Sequence, residues 1–120
     1  MKIAVSSRGK NLEAEIDPRF GRAGCFLLVD PETLSFEVVE NQQNLNLPQG
    51  AGIQAAQTVV EHGANIVLTG NCGPKAFQVL KATGVKVAVG VSGTVKEAVD
   101  QFKQGKLSYT ETPNVEGHWG

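Results

Sequence analysis

The chain is poor in the residues that cross-link a protein or give it a strong net charge. It has 2 cysteines in 120 residues, Cys25 and Cys72, and they show no CxxC spacing. Because the apolar run at the N-terminus is too short for a signal-peptide core, we expect reduced thiols in a cytoplasmic protein rather than a disulfide. The net charge of -1 gives no general attraction to nucleic acid or to anionic membranes. The longest apolar runs are strand-sized, so no segment is predicted to span a bilayer.

Several patterns typical of enzymes are also missing from the sequence. There is no HExxH motif and no acidic cluster of the kind that holds two catalytic metal ions. The sequence supports no Ser/His/Asp set and no Cys/His pair. The first apolar run, Ile3–Ser7, contains no carboxylate. These absences favour a binding protein over a hydrolase or a nuclease.

The composition is that of an ordinary globular domain, with 41% hydrophobic and 19% charged residues. A chain of this length fits one domain and can bury a core without disulfides or metals. We predict a single α/β domain over residues 1–105, followed by a polar C-terminal tail over 106–120.

Apolar runs and turn residues predict the order β-ββ-α-β-α-β-α. The second run, Cys25–Val29, is apolar on both faces, so we expect a central strand with Cys25 in the core. The predicted strands cover residues 2–6, 25–29, 35–40, 66–68 and 85–91. Residues 30–33 form a turn between the second and third strands, which makes them a hairpin, and residues 41–49 form a loop. The helices begin near residues 50, 74 and 94, and Thr94 with Glu97 forms a capping box for the last one. This order predicts helices on both faces of a sheet whose later strands are parallel.

The first candidate binding segment is 50–55, Gly-Ala-Gly-Ile-Gln-Ala, which resembles a dinucleotide-binding glycine motif. Its context is wrong, because it follows a loop rich in Asn and Gln instead of a strand, and no acidic residue follows at the expected distance. What the segment does predict is an anion held by backbone N–H groups at a helix N-terminus, near Gly50 and Gly52.

The second candidate is Cys72, in the segment 69–75 between a buried strand and a helix. Ligands of α/β sheets bind at such carboxyl ends of parallel strands. The helix N-terminus and Lys75 would both lower the pKa of a thiol there, and thiolates bind soft metals. The alternative is a turn in which Cys72 only packs. Between Glu61 and Glu97 the sequence has four lysines and no acidic residue, so this half of the sheet is predicted to be positively charged. We interpret Lys81 and Lys86 as solvated.

The third candidate is the segment 17–22, Asp-Pro-Arg-Phe-Gly-Arg, in the long loop after the first strand. Arg19 and Arg22 could hold an anion. Equally, Asp17 and Arg19 could pair with each other while Phe20 fills the core.

Taken together, residues 2–7, 17–23, 26–30, 50–56 and 73–77 resemble the dinitrogenase iron-molybdenum cofactor biosynthesis family, which includes nitrogenase accessory factors. The resemblance covers about residues 1–110. It implies a three-layer ribonuclease-H-like motif, with five strands in the order 3-2-1-4-5 and the second strand antiparallel. It also implies binding or carriage of an iron-molybdenum or related metal-sulfur cluster without turnover. Accessory factors of the family often have a His where this chain has Arg19, so electrostatic holding is expected from this loop instead of direct ligation.

We therefore predict a non-catalytic, cytoplasmic module for an anionic metal-sulfur cluster, with cluster-assembly or recipient proteins as further partners. The metal ligand is predicted to be Cys72. The predicted cofactor-binding residues are Arg19, Phe20, Gly21, Arg22, Gly50, Gly52, Gly73 and Lys75. Two alternatives stay open: a protein-interaction or regulatory domain with a vestigial cluster site, and a small-molecule enzyme that uses Cys72 as its nucleophile.

Overall fold

The structure, a computed structural model, describes residues 1–41 and 50–113. It has a five-stranded sheet in the order β3-β2-β1-β4-β5. The strands are β1 (Ile3–Ser7), β2 (Cys25–Val29), β3 (Phe36–Glu40), β4 (Ile66–Leu68) and β5 (Lys86–Ala88). The helices are α1 (Ala51–Glu61), α2 (Pro74–Ala82) and α3 (Val95–Lys103), and a 3-10 turn (Phe20–Arg22) lies between β1 and β2. None of the helices in the described ranges is both long and apolar enough to cross a membrane.

The strand pairing confirms the predicted sheet. β2 runs antiparallel to both of its neighbours, β1 and β3, whereas β1, β4 and β5 are parallel. The fifth strand is shorter than predicted, because the chain turns away after Ala88. Gly90 adopts a positive φ of 73°, and the N–H of Val91 donates to the carbonyl of Thr69. The apolar residues Val89 and Val91 therefore pack against the two cores without extending the sheet.

Two apolar cores, one on each face of the sheet, confirm the predicted three layers. Alternation along β1 sends Ala4 to one core and Ile3 and Val5 to the other. The first core is closed by α1 and α2, the second by α3. All five residues of β1 are buried, which is typical of a central strand covered on both faces.

The three helices begin in two different ways. α3 has the predicted capping box: the N–H of Glu97 donates to the Thr94 hydroxyl at 3.1 Å, and the N–H of Thr94 donates to Glu97 Oε1 at 2.9 Å. Hydrogen bonds from the backbone N–H and from the side chain of Thr94 to the Glu97 carboxylate hold the pKa of Glu97 below its usual range. By contrast, α1 and α2 follow the N-cap glycines Gly50 and Gly73, which have no side chain to cap them, and neither helix has an acidic residue in its first turn. Their N-terminal N–H groups therefore lack the local negative charge that stabilises α3.

The segment that follows α3 returns to the sheet. Leu107 packs against the second core, and the N–H of Thr110 donates to the carbonyl of Val87 in β5 at 2.8 Å. The predicted polar tail thus begins as a segment docked on the β5 edge. The rest of that tail, and all of the predicted loop 41–49 except Asn41, lie outside the described residues.

Candidate anion-binding site

The long loop after β1 crosses the carboxyl ends of the three parallel strands. The N–H of Asp17 donates to the carbonyl of Ser6, and the N–H of Asn71 donates to the carbonyl of Pro18 at 2.7 Å. Further along the same edge, the N–H of Ile16 donates to the carbonyl of Gly93. Residues 16–18 of this loop, which we call the roof, therefore cover the edge at which α/β sheets commonly bind ligands. A ligand must bind beside or above the roof.

A buried pair of hydroxyl groups fastens the roof to the sheet. Ser6 Oγ donates to the carbonyl of Asp17 at 2.7 Å and lies 2.7 Å from the hydroxyl of Thr69. Ser6 and Thr69 are both fully buried. The role of Ser6, in the strand that lacks a carboxylate, is thus to hold the loop in place.

Arg19 stands at the outer side of this loop. Its backbone N–H donates to the Asp17 carboxylate at 3.0 Å, and its Nε lies 3.9 Å from the same oxygen. The guanidinium side chain is half exposed, whereas the Asp17 side chain is almost buried. The predicted pairing of Asp17 with Arg19 is therefore present. It leaves most of the Arg19 guanidinium accessible to a ligand. The N–H of Arg22 closes the 3-10 turn by donating to the Arg19 carbonyl.

Phe20 anchors the loop from below and cannot contact a ligand at the surface. Its side chain is fully buried and packs against Phe26, with the ring centroids 5.2 Å apart. The alternative, in which Phe20 fills the core, is therefore confirmed, and a role for Phe20 in cofactor binding stays a prediction. Gly21 is buried as well. A residue that the sequence did not single out, Asn41, donates to the carbonyls of Gly21 and Ala23 at 3.2 and 2.9 Å.

The remaining predicted residues come from the first turns of two neighbouring helices. α1 and α2 pack against each other, and the 3-10 turn packs against α1. Both helices run back from the carboxyl edge of the parallel strands, so Gly50 and Gly73 lie at the same edge as Arg19, which is bridged to Asn71. Gly52 is buried inside the first turn of α1, and Lys75 is exposed in the first turn of α2. The fold thus brings the three predicted segments together.

Cys72 lies in the core beneath this edge. It is fully buried among residues that include Phe20 and Ala76, and burial raises the pKa of its thiol to about 12. The predicted accessible thiolate is therefore wrong, because the loop after β4 turns this side chain inward under the roof. Desolvation disfavours the charged form more strongly than a helix N-terminus favours it.

Cys25 is buried as predicted, so the two thiols differ less than expected. Its Sγ lies 3.3 Å from the carbonyl of Gly9. Burial, together with the nearby Glu40 carboxylate, raises the pKa of Cys25 above its ordinary value.

Comparison with known proteins places this arrangement in a family. The profile described as dinitrogenase iron-molybdenum cofactor matches residues 1–105. The chain belongs to the dinitrogenase iron-molybdenum cofactor family. An uncharacterised protein of Methanocaldococcus jannaschii is 32% identical over 92% of both chains. The apo form of the orange protein from Desulfovibrio gigas superposes with a TM-score of 0.91, at 44% identity over 95% of this chain and 96% of that one.

A second solved structure of similar fold is the NMR structure of a Thermotoga protein. It belongs to the DUF35 family and carries a provisional assignment as a NifB protein. It superposes with a TM-score of 0.76, at 35% identity over 95% of this chain and 97% of the other. This chain therefore shares its fold with the D. gigas orange protein and with the Thermotoga protein.

The side chains of this family member fit an electrostatically held group better than a directly ligated one. Within residues 1–41 and 50–113, no three His, Cys, Asp or Glu side chains lie close enough together to hold a metal ion. The charged residues of the three predicted segments are Arg19, Arg22 and Lys75, with Asp17 as the acidic neighbour of Arg19. Such a set can attract an anion through charge and N–H groups.

Proposed function

We propose that this protein binds an anionic metal-sulfur cluster, of the iron-molybdenum or a related type, and carries it without chemical turnover. The cluster is cargo, and the binding surface is the basic rim, which we define as Arg19, Arg22, Lys75 and the first turns of α1 and α2. Cluster-assembly proteins would deliver the cargo, and recipient proteins would take it up.

The observation that carries the proposal is that two helices with glycine at the N-cap, α1 and α2, begin at the same edge of the sheet. Neither first turn contains an acidic residue, although the same chain caps α3 with a full capping box. Each helix N-terminus acts as about half a positive charge through the aligned peptide dipoles of the helix. Arginine adds donors whose planar geometry matches anions with several acceptor atoms. An anion at the rim would provide the negative charge that both first turns lack.

The names of the relatives support a metal-containing ligand. The family description names an iron-molybdenum cofactor, and the D. gigas orange protein was determined in an apo form. From these names we infer for the present chain only the class of ligand, which is a metal-sulfur anion.

Burial of Cys72 argues for electrostatic holding and against the alternative of a nucleophilic enzyme. A thiol with a pKa of about 12 is almost entirely protonated near neutral pH, and the protonated form is a poor nucleophile and a poor ligand. Ligation by Cys72 stays a prediction, and it requires the loop after β4 to open and the thiol to lose its proton. The rim needs neither step.

The experiment is an anaerobic titration with tetrathiomolybdate, a sulfide-bearing molybdenum dianion, followed by visible absorption. We expect saturable binding that weakens with added salt, because exposed charges are screened within about 10 Å at 0.1 M. The double variant Arg19→Gln/Lys75→Gln should bind about tenfold more weakly, a loss of about 1.4 kcal/mol. The matched control is Lys96→Gln/Lys103→Gln, which removes the same charge from exposed positions on α3.

Three results discriminate between the modes of binding. If the two double variants weaken tetrathiomolybdate binding equally, the effect comes from net charge alone, which would contradict binding at the basic rim. Unchanged binding in the rim variant would contradict it as well. Complete loss on Cys72→Ser, with the rim variant unaffected, would favour direct ligation.

A further inference from the structure

The outer edge of β5 is an incompletely occupied strand edge. In the parallel pairing with β4, the N–H of Lys86 and the carbonyl of Ala88 are directed toward the β4 side, where they bond Asn65 and Thr69. The backbone of Val87 between them therefore faces outward. Its carbonyl accepts the N–H of Thr110 at 2.8 Å, whereas its N–H has no acceptor within residues 1–41 and 50–113. The segment 106–113, which we call the strap, thus covers this edge through a single backbone bond.

A cleft remains between the strap, β5 and the end of α2. Its volume is about 150 Å³, and its lining includes Phe77, Lys81, Lys86, Tyr109 and Glu111. Tyr109 is 40% exposed, and the centroid of its ring lies 5.4 Å from the Nζ of Lys86. The cleft therefore has an apolar floor beside two exposed cationic side chains.

The elements around this cleft carry an excess of positive charge. Residues 62–96, which include β4, α2 and β5, contain four lysines and no aspartate or glutamate. Neither Lys81 nor Lys86 forms a salt bridge with any residue in the described ranges. The acidic group in the cleft is Glu111, which belongs to the strap. An extended segment with an acidic side chain therefore already lies against this edge.

We propose that the β5 edge is a docking site for an extended acidic segment of a partner protein, which takes the place of strap residues 109–111. Its backbone pairs with Val87, and its carboxylates face Lys81 and Lys86. Addition of a strand to an exposed edge is a common mode of peptide recognition, with backbone bonds for affinity and side chains for selectivity. The outward backbone groups of Val87 favour a peptide over a nucleic acid, because a nucleic acid cannot continue the strand pattern. This site is separate from the basic rim, and it stands or falls independently of the cluster proposal.

The test is an amide-resolved NMR titration of the full chain with a blocked heptapeptide of alternating glutamate and valine. We expect the amide signals of Val87 and Thr110 to shift, and hydrogen exchange of the Thr110 N–H to accelerate as the strap is displaced. In Lys81→Gln/Lys86→Gln the dissociation constant should rise about threefold to tenfold, the usual range for two exposed charge pairs. The control Lys96→Gln/Lys103→Gln carries the same charge change on α3, and its dissociation constant should match that of the unaltered chain.

Competition with the strap gives a second readout. Thr110→Pro removes the N–H that bonds Val87, so the strap is held less firmly and the peptide should bind several-fold more tightly. Four results would each overturn the proposal. The first is the absence of amide shifts up to about 1 mM peptide, the weak end of specific binding, and the second is equally tight binding of a peptide of alternating lysine and valine. The third is an equal rise of the dissociation constant in the α3 control, and the fourth is that single-stranded oligothymidine, and not the peptide, causes the amide shifts. The last result would assign this edge to nucleic acid.

Discussion

Gly70 and Pro18 meet backbone against backbone. A Cβ on Gly70 would lie 2.8 Å from the Cα of Pro18 and 2.9 Å from its carbonyl oxygen. The neighbouring Asn71 donates its backbone N–H and its side-chain amide to the same carbonyl, at 2.7 and 3.2 Å. This contact sets the position of the loop that presents Arg19, and glycine is the residue that permits it.

We expect Gly70→Ala to lower the free energy of unfolding by about 1–3 kcal/mol, the usual penalty for overpacking. The clash is with backbone atoms, which cannot rotate away as a flexible side chain would. Urea denaturation measures the effect. The control is Gly24→Ala, where the nearest atom to the new methyl group is the Ser7 carbonyl oxygen at 4.0 Å. Equal stability of the two variants would contradict the assigned contact.

Ser6 should matter more to stability than its hydrogen-bond partner Thr69. Because Ser6 Oγ donates to the Asp17 carbonyl, the Thr69 hydroxyl must donate to Ser6 Oγ. Ser6→Ala leaves a buried acceptor and a buried donor without partners, at a cost of about 1–3 kcal/mol. Thr69→Val leaves the bond from Ser6 to Asp17 intact and should cost less. Chemical denaturation of both variants checks the ranking, and the reverse order would mean that the hydroxyl protons are arranged differently.

The architecture was predictable because its signals are local. Continuous apolar residues at 25–29 predicted a strand buried on both faces, and the spacing of Thr94 and Glu97 predicted the start of α3. The end of β5 was not predictable, since Val89 and Val91 are as apolar as a strand. What ends the strand is the turn at Gly90, made by contacts with Thr69 and Gly70.

The candidate site was predictable only in part, for a similar reason. The loop, the two helix starts and the arginines are recognisable in the sequence, and the fold brings them together. The inward direction of the Cys72 side chain is not recognisable, because the core cluster that buries it includes residues as distant in sequence as Phe20, 52 positions earlier. A cysteine between glycines has the sequence appearance of an exposed loop residue, and only the tertiary roof over β4 makes it a core residue.

Asp17 should compete with a bound anion for Arg19. In Asp17→Asn the amide oxygen can still accept the Arg19 N–H, so the loop keeps its anchor, but the negative charge 3.9 Å from Nε is removed. We expect tetrathiomolybdate to bind about twofold to fivefold more tightly, consistent with about 1 kcal/mol for a solvated pair at this distance. Glu32→Gln, in the turn between β2 and β3 at the opposite end of the sheet, is the control for net charge. Weaker binding by Asp17→Asn would mean that the carboxylate holds Arg19 in place for the anion.

Both thiols should react slowly in the native protein, and Cys72 should be very slow. With a pKa of about 12, its thiolate fraction at pH 8 is about a thousandfold smaller than that of a free cysteine. Iodoacetamide labelling of Cys25→Ser, followed by mass spectrometry, isolates the rate at Cys72. The rate should approach that of a free thiol once urea unfolds the chain. Rapid labelling of the native Cys25→Ser variant would show that Cys72 is accessible after all.

The same buried thiol should make the protein less stable at alkaline pH. The pKa of Cys72 is about 12 in the folded protein and about 8.5 in an unfolded chain. Between these values the unfolded state releases the proton while the folded state retains it, so the free energy of unfolding falls as pH rises. From pH 8 to pH 10 the expected loss attributable to this residue is about 2 kcal/mol.

Urea denaturation of the unaltered chain and of Cys72→Ala at the two pH values measures that loss. The substitution leaves a cavity and lowers stability at both values, but it removes the titrating group, so its pH dependence should be flatter by the same amount. Cys25 and the lysines are common to the two proteins and cancel in the comparison. If the two chains lose stability in parallel as pH rises, the Cys72 thiol does not retain its proton in the folded state, and the case for a neutral, buried Cys72 beneath the rim fails.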